Sequence, residues 1–440
     1  MPMPRDLPAG GRSAIGGAAA LLLTVFVAFT PPVRAQPSPR PSAGDTTLIV
    51  APGGPLRTIA AAIARAPRGA RISVRPGIYR EPTIDVDRPV TIEGADGAIL
   101  DGEGRRQIMT VTADSVTIRH LTFRDVGSSD REDRAAIRIV EAAHCVVEDN
   151  RIDRAFFGIY LARVSDCRIA GNSIVGRPAS EVQTGNGIHL WIADHVQIVR
   201  NHVRGHRDGI YFEFVHHSDI DDNVSEENGR YGLHFMFSDD CRYEGNTFRR
   251  NGAGVAVMYT RRVDMLRNRF EDNQGAASYG LLLKEIGDAR LEGNRFTRNT
   301  TAVHADGTTR LAVTRNRFAD NGWALKLDAN SQSGRITAND FLRNSFDVAT
   351  NGRSADTILE GNYWDAYTGY DLAHDGFGDV PYRPVRLFSL LVAREEPALI
   401  LLRSTFVALL DVAERMLPTL TPETLADGHP AMRPIEGAGR

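Results

Sequence analysis

Polar and apolar positions alternate along most of this chain with a period that returns every 22–23 residues. Asparagines recur at Asn150, Asn172, Asn201, Asn223, Asn246, Asn268, Asn294, Asn316, Asn339 and Asn362; most steps are 22 or 23 residues, with exceptions of 29 and 26. A second asparagine follows five residues later at Asn228, Asn251, Asn273, Asn299, Asn321 and Asn344. Apolar pairs precede the first asparagine by five and three residues, as in Cys145 with Val147, Cys167 with Ile169, and Val263 with Met265. Two residues after it stand Phe248, Phe270, Phe296, Phe318, Phe341 and Trp364. A period of two inside a longer fixed repeat is the mark of short strands in a solenoid. Stacked coils lie about 4.8 Å apart, which sets like residue on like.

The pattern predicts an all-β, right-handed parallel β-helix over residues 48–384, its coils ending near Trp364. Asparagines suit the turns, where they tolerate left-handed geometry, bond to backbone and, when stacked, bond from coil to coil. An amphipathic helix over Leu56–Ala66 is expected to cap the first coil. Brief strands should follow at Arg71–Val74, Thr83–Val86 and Val90–Ile92.

The repeat also separates inward from outward positions. Each coil has a Gly-led strand, beginning at Gly158, Gly187, Gly209, Gly232, Gly254 and Gly280. The first and third residues after the glycine should point in, and the second and fourth out. One outward ladder then reads Tyr160, His189, Tyr211, His234, Ala256, Leu282. The other reads Ala162, Trp191, Glu213, Met236, Met258, Lys284. Outward methionines have no core to fill. Met236 and Met258, with His234 on the same exposed face, could converge on a soft ion such as Cu(I). Glu213, His216 and His217 would support them. A cover under a loop insertion and an adaptable protein-binding patch are the other readings of these methionines. His189 and His304 are expected to be isolated surface histidines. Cys145, Cys167 and Cys241 share one coil position and read as small buried hydrophobes; Cys145 and Cys167 would stack within disulfide reach.

Composition narrows the partners. The net charge of −3, with 24% charged residues, gives no basic bias for nucleic acid. Residues 1–35 read as a secretory signal peptide, with Arg5 and Arg12 before the apolar stretch Ala14–Phe29 and Val33-Arg34-Ala35 at the cleavage position. Residues 36–47 read as a Pro/Ser-rich linker. Asp371, Asp375 and Asp379 in DLAHDGFGD resemble a calcium loop, or else a plain Asp/Gly turn. Beyond Val385 the chain becomes leucine-rich with helical spacing, and charges interrupt it, so it is no membrane span. Apolar on more than one side, this 385–440 extension must pack back on the β-helix or dock on a partner through Phe388, Leu399, Leu402, Phe406 and Leu409.

The segments GLHFMFSDD, RRNGAGVAVMYTRRV, YGLLLKEIGDARLEGNRF, NSFDVATN, GNYWDAYTGYDL and DVPYRPVRLFSLL resemble the NosD family. The resemblance runs from about Leu48 to the end and is specific from Gly232 to Leu391. It implies a periplasmic accessory protein, not an enzyme, that serves nitrous oxide reductase maturation. It further implies an ABC-type ATPase and membrane permease docked at the C-terminal helices. Copper would come from a lipoprotein chaperone and pass to apo nitrous oxide reductase, with His234, Met236 and Met258 as its ligands. Ala373 departs from the more acidic loop common in the family. The rival class on this fold is a polysaccharide lyase, hydrolase or C5-epimerase. Against it, Asp239 and Asp240 are adjacent and cannot face one groove as a stacked pair.

Overall fold

A computed structural model describes residues 46–129, 131–177, 184–352, 356–402, 404–417 and 425–439. The expected leader and nearly all of the linker lie outside these residues. The described strands form three parallel sheets of 14, 12 and 13 strands, and in each a strand pairs with its counterparts one coil away. This is the right-handed parallel β-helix that the repeat predicts.

Like does stack on like. Phe248, Phe270, Phe296, Phe318, Phe341 and Trp364 are register partners in succession. Their ring centroids lie 5.5, 4.5, 5.0, 5.0 and 4.1 Å apart. Offset stacking of this kind adds about 0.5–1.5 kcal/mol per pair beyond area burial.

The asparagines behave differently from expectation in one respect. They do not take left-handed geometry; the residue just before them does, as at Asp149, Arg200, Asp222 and Arg267. That residue turns the corner and swings the asparagine inward. In the first ladder each Nδ2 donates to Oδ1 of the next asparagine at 2.9–3.1 Å. The same oxygen accepts the preceding coil's asparagine N–H at 2.8–3.0 Å. The corner therefore has its polar groups satisfied without water.

The Gly-led strands lie in the 12-stranded sheet, and their glycines are required. A Cβ on Gly232 would sit 2.7 Å from the Gly254 carbonyl and 2.8 Å from Asn251 Nδ2.

At the N-terminal end, helix α1 (Ile59–Arg65) covers the first coil. Thr58 Oγ1 accepts from Ala61 N–H, and Glu81 accepts from the Ile59 and Ala60 N–H groups at 2.8 and 3.0 Å. A carboxylate at a helix N-terminus meets the positive end of the helix dipole. After the last coil come helix α2 (Leu387–Arg394), a short 3-10 helix (Glu396–Leu401) and helix α3 (Thr405–Met416). No described helix is long and apolar enough to cross a membrane. Residues 425–439 then return to the solenoid: Asp427 bridges to Leu359 and Tyr382, and Ala431 to Tyr363 and Phe377. Part of the predicted extension is thus a cap on the β-helix.

Candidate functional site

The two outward ladders are present in the predicted register. Tyr160, His189, Tyr211, His234 and Ala256 pair in order, as do Ala162, Trp191, Glu213, Met236, Met258 and Lys284. The inward residues between them, such as Leu233, Phe235, Val255 and Val257, are fully buried.

The first ladder is a continuous stack. Arg138 lies over Tyr160 at 4.5 Å, His189 stacks 4.5 Å from Tyr160 and 4.7 Å from Tyr211, and His234 meets Tyr211 edge-on at 5.0 Å. His189 is therefore no isolated surface histidine. Burial, helped by Arg207, lowers its pKa to about 3, so it stays neutral. The Asn186 amide donates to its Nδ1 at 3.0 Å, which places the ring proton on Nε2.

His234 does not stand exposed, as the sequence suggested, but is 6% accessible. Asp208, fully buried one coil earlier, needs cationic partners. Arg230 donates to it twice, at 2.9 and 2.5 Å, and His234 Nδ1 lies 3.5 Å from the same carboxylate. Burial alone would raise the Asp208 pKa; His234 and Arg230 outweigh it and hold the carboxyl below its usual range.

Met236 and Met258 are direct register partners and half-buried. Glu213, below Met236, accepts from Tyr211 Oη at 3.2 Å. Beside these residues runs a row that sequence reasoning missed. Phe214, Phe237 and Tyr259 are exposed, stack at 5.3 and 5.2 Å, and have positive φ. The signal was available: each directly follows an outward-ladder residue. In sequence along each strand, the methionines thus stand between the covered stack of His234 and Ala256 and the exposed row of Phe237 and Tyr259.

A second group was also missed. Past the bend, Asp194, His195 and His217 hold ligand atoms within 4.8 Å of one another. The 22-residue spacing of His195 and His217 was the readable clue. His216, at the bend after Glu213, accepts the Asp239 N–H at 3.4 Å.

Cys145, Cys167 and Cys241 are buried, as expected, and are free thiols turned toward backbone carbonyls. Asp371 accepts from the Asp375 and Gly376 N–H groups, Asp375 from Phe377, and Asp379 from Leu372, and among the described residues the three carboxylates do not bring ligand atoms within 4.8 Å of one another. His304 is not a lone surface residue. It lies 3.3 Å from Asp328 and lines a cavity of about 690 Å³ with Tyr279, Trp323, Lys326 and Val392.

The C-terminal helices both pack back and present a surface. Phe388, Val392 and Val407 join Trp323, Phe346 and Ala349 in one buried cluster, with Leu402 against it. Phe388, 2% accessible, is therefore removed as a docking residue, and Leu402 in large part. Leu399, Phe406 and Leu409 remain 40, 51 and 68% accessible.

A family model described as "Periplasmic copper-binding protein (NosD)" matches residues 165–369. A protein of Stutzerimonas stutzeri, named "Probable ABC transporter binding protein NosD", is 27% identical over 368 residues, covering 79% of this chain and 84% of its own length. One of Pseudomonas aeruginosa with the same name is 30% identical over 385 residues, covering 84% and 90%. Among solved structures, the A-module of the Azotobacter vinelandii mannuronan C-5 epimerase AlgE4 has 16% identity and a TM-score of 0.47, over 69% of this chain and 88% of that one. The Streptococcus pneumoniae surface adhesin PfbA has 10% identity and a TM-score of 0.48, over 74% and 91%. Neither bears on activity. With the P. aeruginosa relative 30% identical and 84% of this chain covered, the chain belongs to the NosD family.

Proposed function

We propose that this chain is a periplasmic copper-handling and docking protein in the maturation of nitrous oxide reductase. In this reading it receives copper from a lipoprotein chaperone, passes it to the apo-reductase, and works with an ABC-type ATPase and permease. It is an accessory component and carries out no catalysis of its own. The observation that carries the reading is the side-by-side placement of Met236 and Met258 on the outward face of a NosD-family chain.

Copper is the cargo here. Two thioethers on neighbouring strands, about 4.8 Å apart, suit Cu(I) rather than a hard cation. His234 fits as a third donor. Arg230 Nη2 donates to its Nδ1 at 3.1 Å, which puts the ring proton on Nε2; that proton must shift to Nδ1, toward Asp208 3.5 Å away, before Nε2 can bind the metal. Glu213 is placed to assist from the coil below. The exposed Leu399, Phe406 and Leu409 supply an apolar surface for the permease.

Competition with a Cu(I) chelator tests the ligands. The Met236→Ala, Met258→Ala double variant should bind at least about tenfold more weakly, in keeping with the loss of direct donors. Unchanged affinity removes these residues from the site.

A further inference from the structure

We propose that Asp194, His195 and His217 form a separate surface site for a divalent first-row transition ion, Cu²⁺ foremost. The site lies past the bend from the methionines and stands whether or not they carry Cu(I).

Asp194 ends one outward strand, and His216 is its register partner in the next coil. His195 and His217 follow at the same turn position, with φ of 51° and 46°. With left-handed geometry at both, their rings stack, centroids 5.1 Å apart and planes 18° from parallel. The Asp194 carboxylate lies between the two nitrogens, 2.8 Å from His217 Nδ1 and 3.2 Å from His195 Nδ1. Two imidazoles sharing one carboxylate supply two nitrogen donors and one oxygen donor, all within 4.8 Å. A cation needs them about 3 Å apart, given metal–ligand bonds of about 2.0–2.2 Å. Small rotations of three accessible side chains close that difference.

The chemistry selects the ion. Nitrogen and oxygen donors without sulfur favour borderline divalent ions, and among these the affinity order peaks at Cu²⁺. The proton balance is simple. A neutral imidazole that now donates through Nδ1 can move that proton to Nε2 and offer Nδ1 to the metal, with no net proton release. In acid the protons compete, so binding weakens as pH falls. Asp239 and Asp240 lie one coil on, and Arg262 pairs with both, at 3.8 and 2.5 Å. His195 and His217 are 60 and 54% accessible, so three protein donors leave open positions for water or for a donor from an incoming protein.

The test is a Cu²⁺ titration of the untagged full-length mature protein, followed by electron paramagnetic resonance and chelator competition. Asparagine tolerates positive φ, so His195→Asn with His217→Asn keeps the turn while removing both nitrogens. The wild type should give an axial signal with nitrogen hyperfine structure, and the double variant should bind at least about tenfold more weakly. A Met236→Leu, Met258→Leu variant should bind Cu²⁺ as the wild type does. Equal affinity in the asparagine variant, with its circular dichroism unchanged, overturns the proposal; so does loss of Cu²⁺ binding in the leucine variant alone. Failure of Cu(I) binding at the methionines leaves this result untouched, so the two readings fail separately.

Discussion

The side-chain amide of Asn362 donates to Oδ2 of Asp427 at 3.0 Å, across 65 residues of sequence, where each earlier asparagine of the ladder meets the next asparagine. The Asn362 N–H and Trp364 Nε1 reach the same oxygen at 3.0 and 3.1 Å. Asp427 therefore closes the ladder, and the returning tail supplies the polar end that a solenoid needs. Asp427→Ala should cost about 2–4 kcal/mol, because buried donors lose their acceptor. Asp427→Asn, which restores the ladder's own chemistry, should cost under about 1 kcal/mol. Urea midpoints compared at equal m-value check both, and an alanine variant as stable as the wild type would sink the capping role.

The pair of Arg230 and Asp208 makes a prediction about pH. Asp208 is fully buried and its pKa is held down, so its ionised form adds stability above the unfolded carboxyl range, near pH 4, and that stability fades as pH falls through the lower folded value. Arg230→Ala leaves a buried carboxylate short of its main cation and should cost about 3 kcal/mol at pH 7. Protonation then relieves the orphaned group, so the gap to wild type should narrow toward pH 4. Denaturant curves at the two pH values read this directly; a gap independent of pH would show that the charge is not what matters.

The fold was legible because a solenoid writes its geometry into a period: Asn150 to Asn362 gave the coils, and the glycines told inside from outside. Sequence reached Met236 beside Met258 for the same reason. It failed on His234 because cover comes from Arg230 and Tyr231, whose side-chain directions no repeat specifies. It failed on Asp427 because the closing residue is not itself in the repeat. The aromatic row at Phe214, Phe237 and Tyr259 was legible too, since each follows an outward-ladder residue by one position. Phe388 and Phe406 looked alike in a leucine-rich segment, and only packing against Trp323 and Phe346 tells the buried one from the open one.

That difference can be tested on the C-terminal helices. Phe388→Ala removes the buried ring that joins α2 to the 12-stranded sheet and should cost about 3–5 kcal/mol of local stability. The arm can detach without unfolding the coils, so limited proteolysis near residues 394–404 should accelerate while the main urea transition stays put. Phe406→Ser with Leu409→Ser should leave both unchanged, the side chains being more than half accessible, yet abolish capture by the detergent-solubilised permease. Normal capture by the serine variant would take this surface out of docking.

The second asparagine ladder also ends on an aspartate. Asn344 Nδ2 donates to Asp347 Oδ1 at 3.2 Å, and Asp347 occupies the position that glycine or alanine fills in earlier coils. Burial, opposed by Asn344 and reinforced by Asp365, pushes the Asp347 pKa up to about 6. The sign follows from proton counting. Between about pH 4 and pH 6 the folded chain keeps a proton that the unfolded chain has lost, so stability falls as pH rises through this window. Above pH 6 the full penalty applies, about 3 kcal/mol at roughly 1.4 kcal/mol per pH unit. Asp347→Asn keeps an oxygen for Asn344 and has nothing to ionise. It should be more stable than the wild type at pH 7.5 by about 2–3 kcal/mol, and its advantage should vanish near pH 4. Arg386, at the root of α2, draws the same carboxyl the other way, so Arg386→Gln should widen the wild type's loss between pH 5 and pH 7. Thermal melts from pH 4 to 8 decide it: an Asp347→Asn curve parallel to the wild type would mean that this carboxyl does not carry the pH dependence.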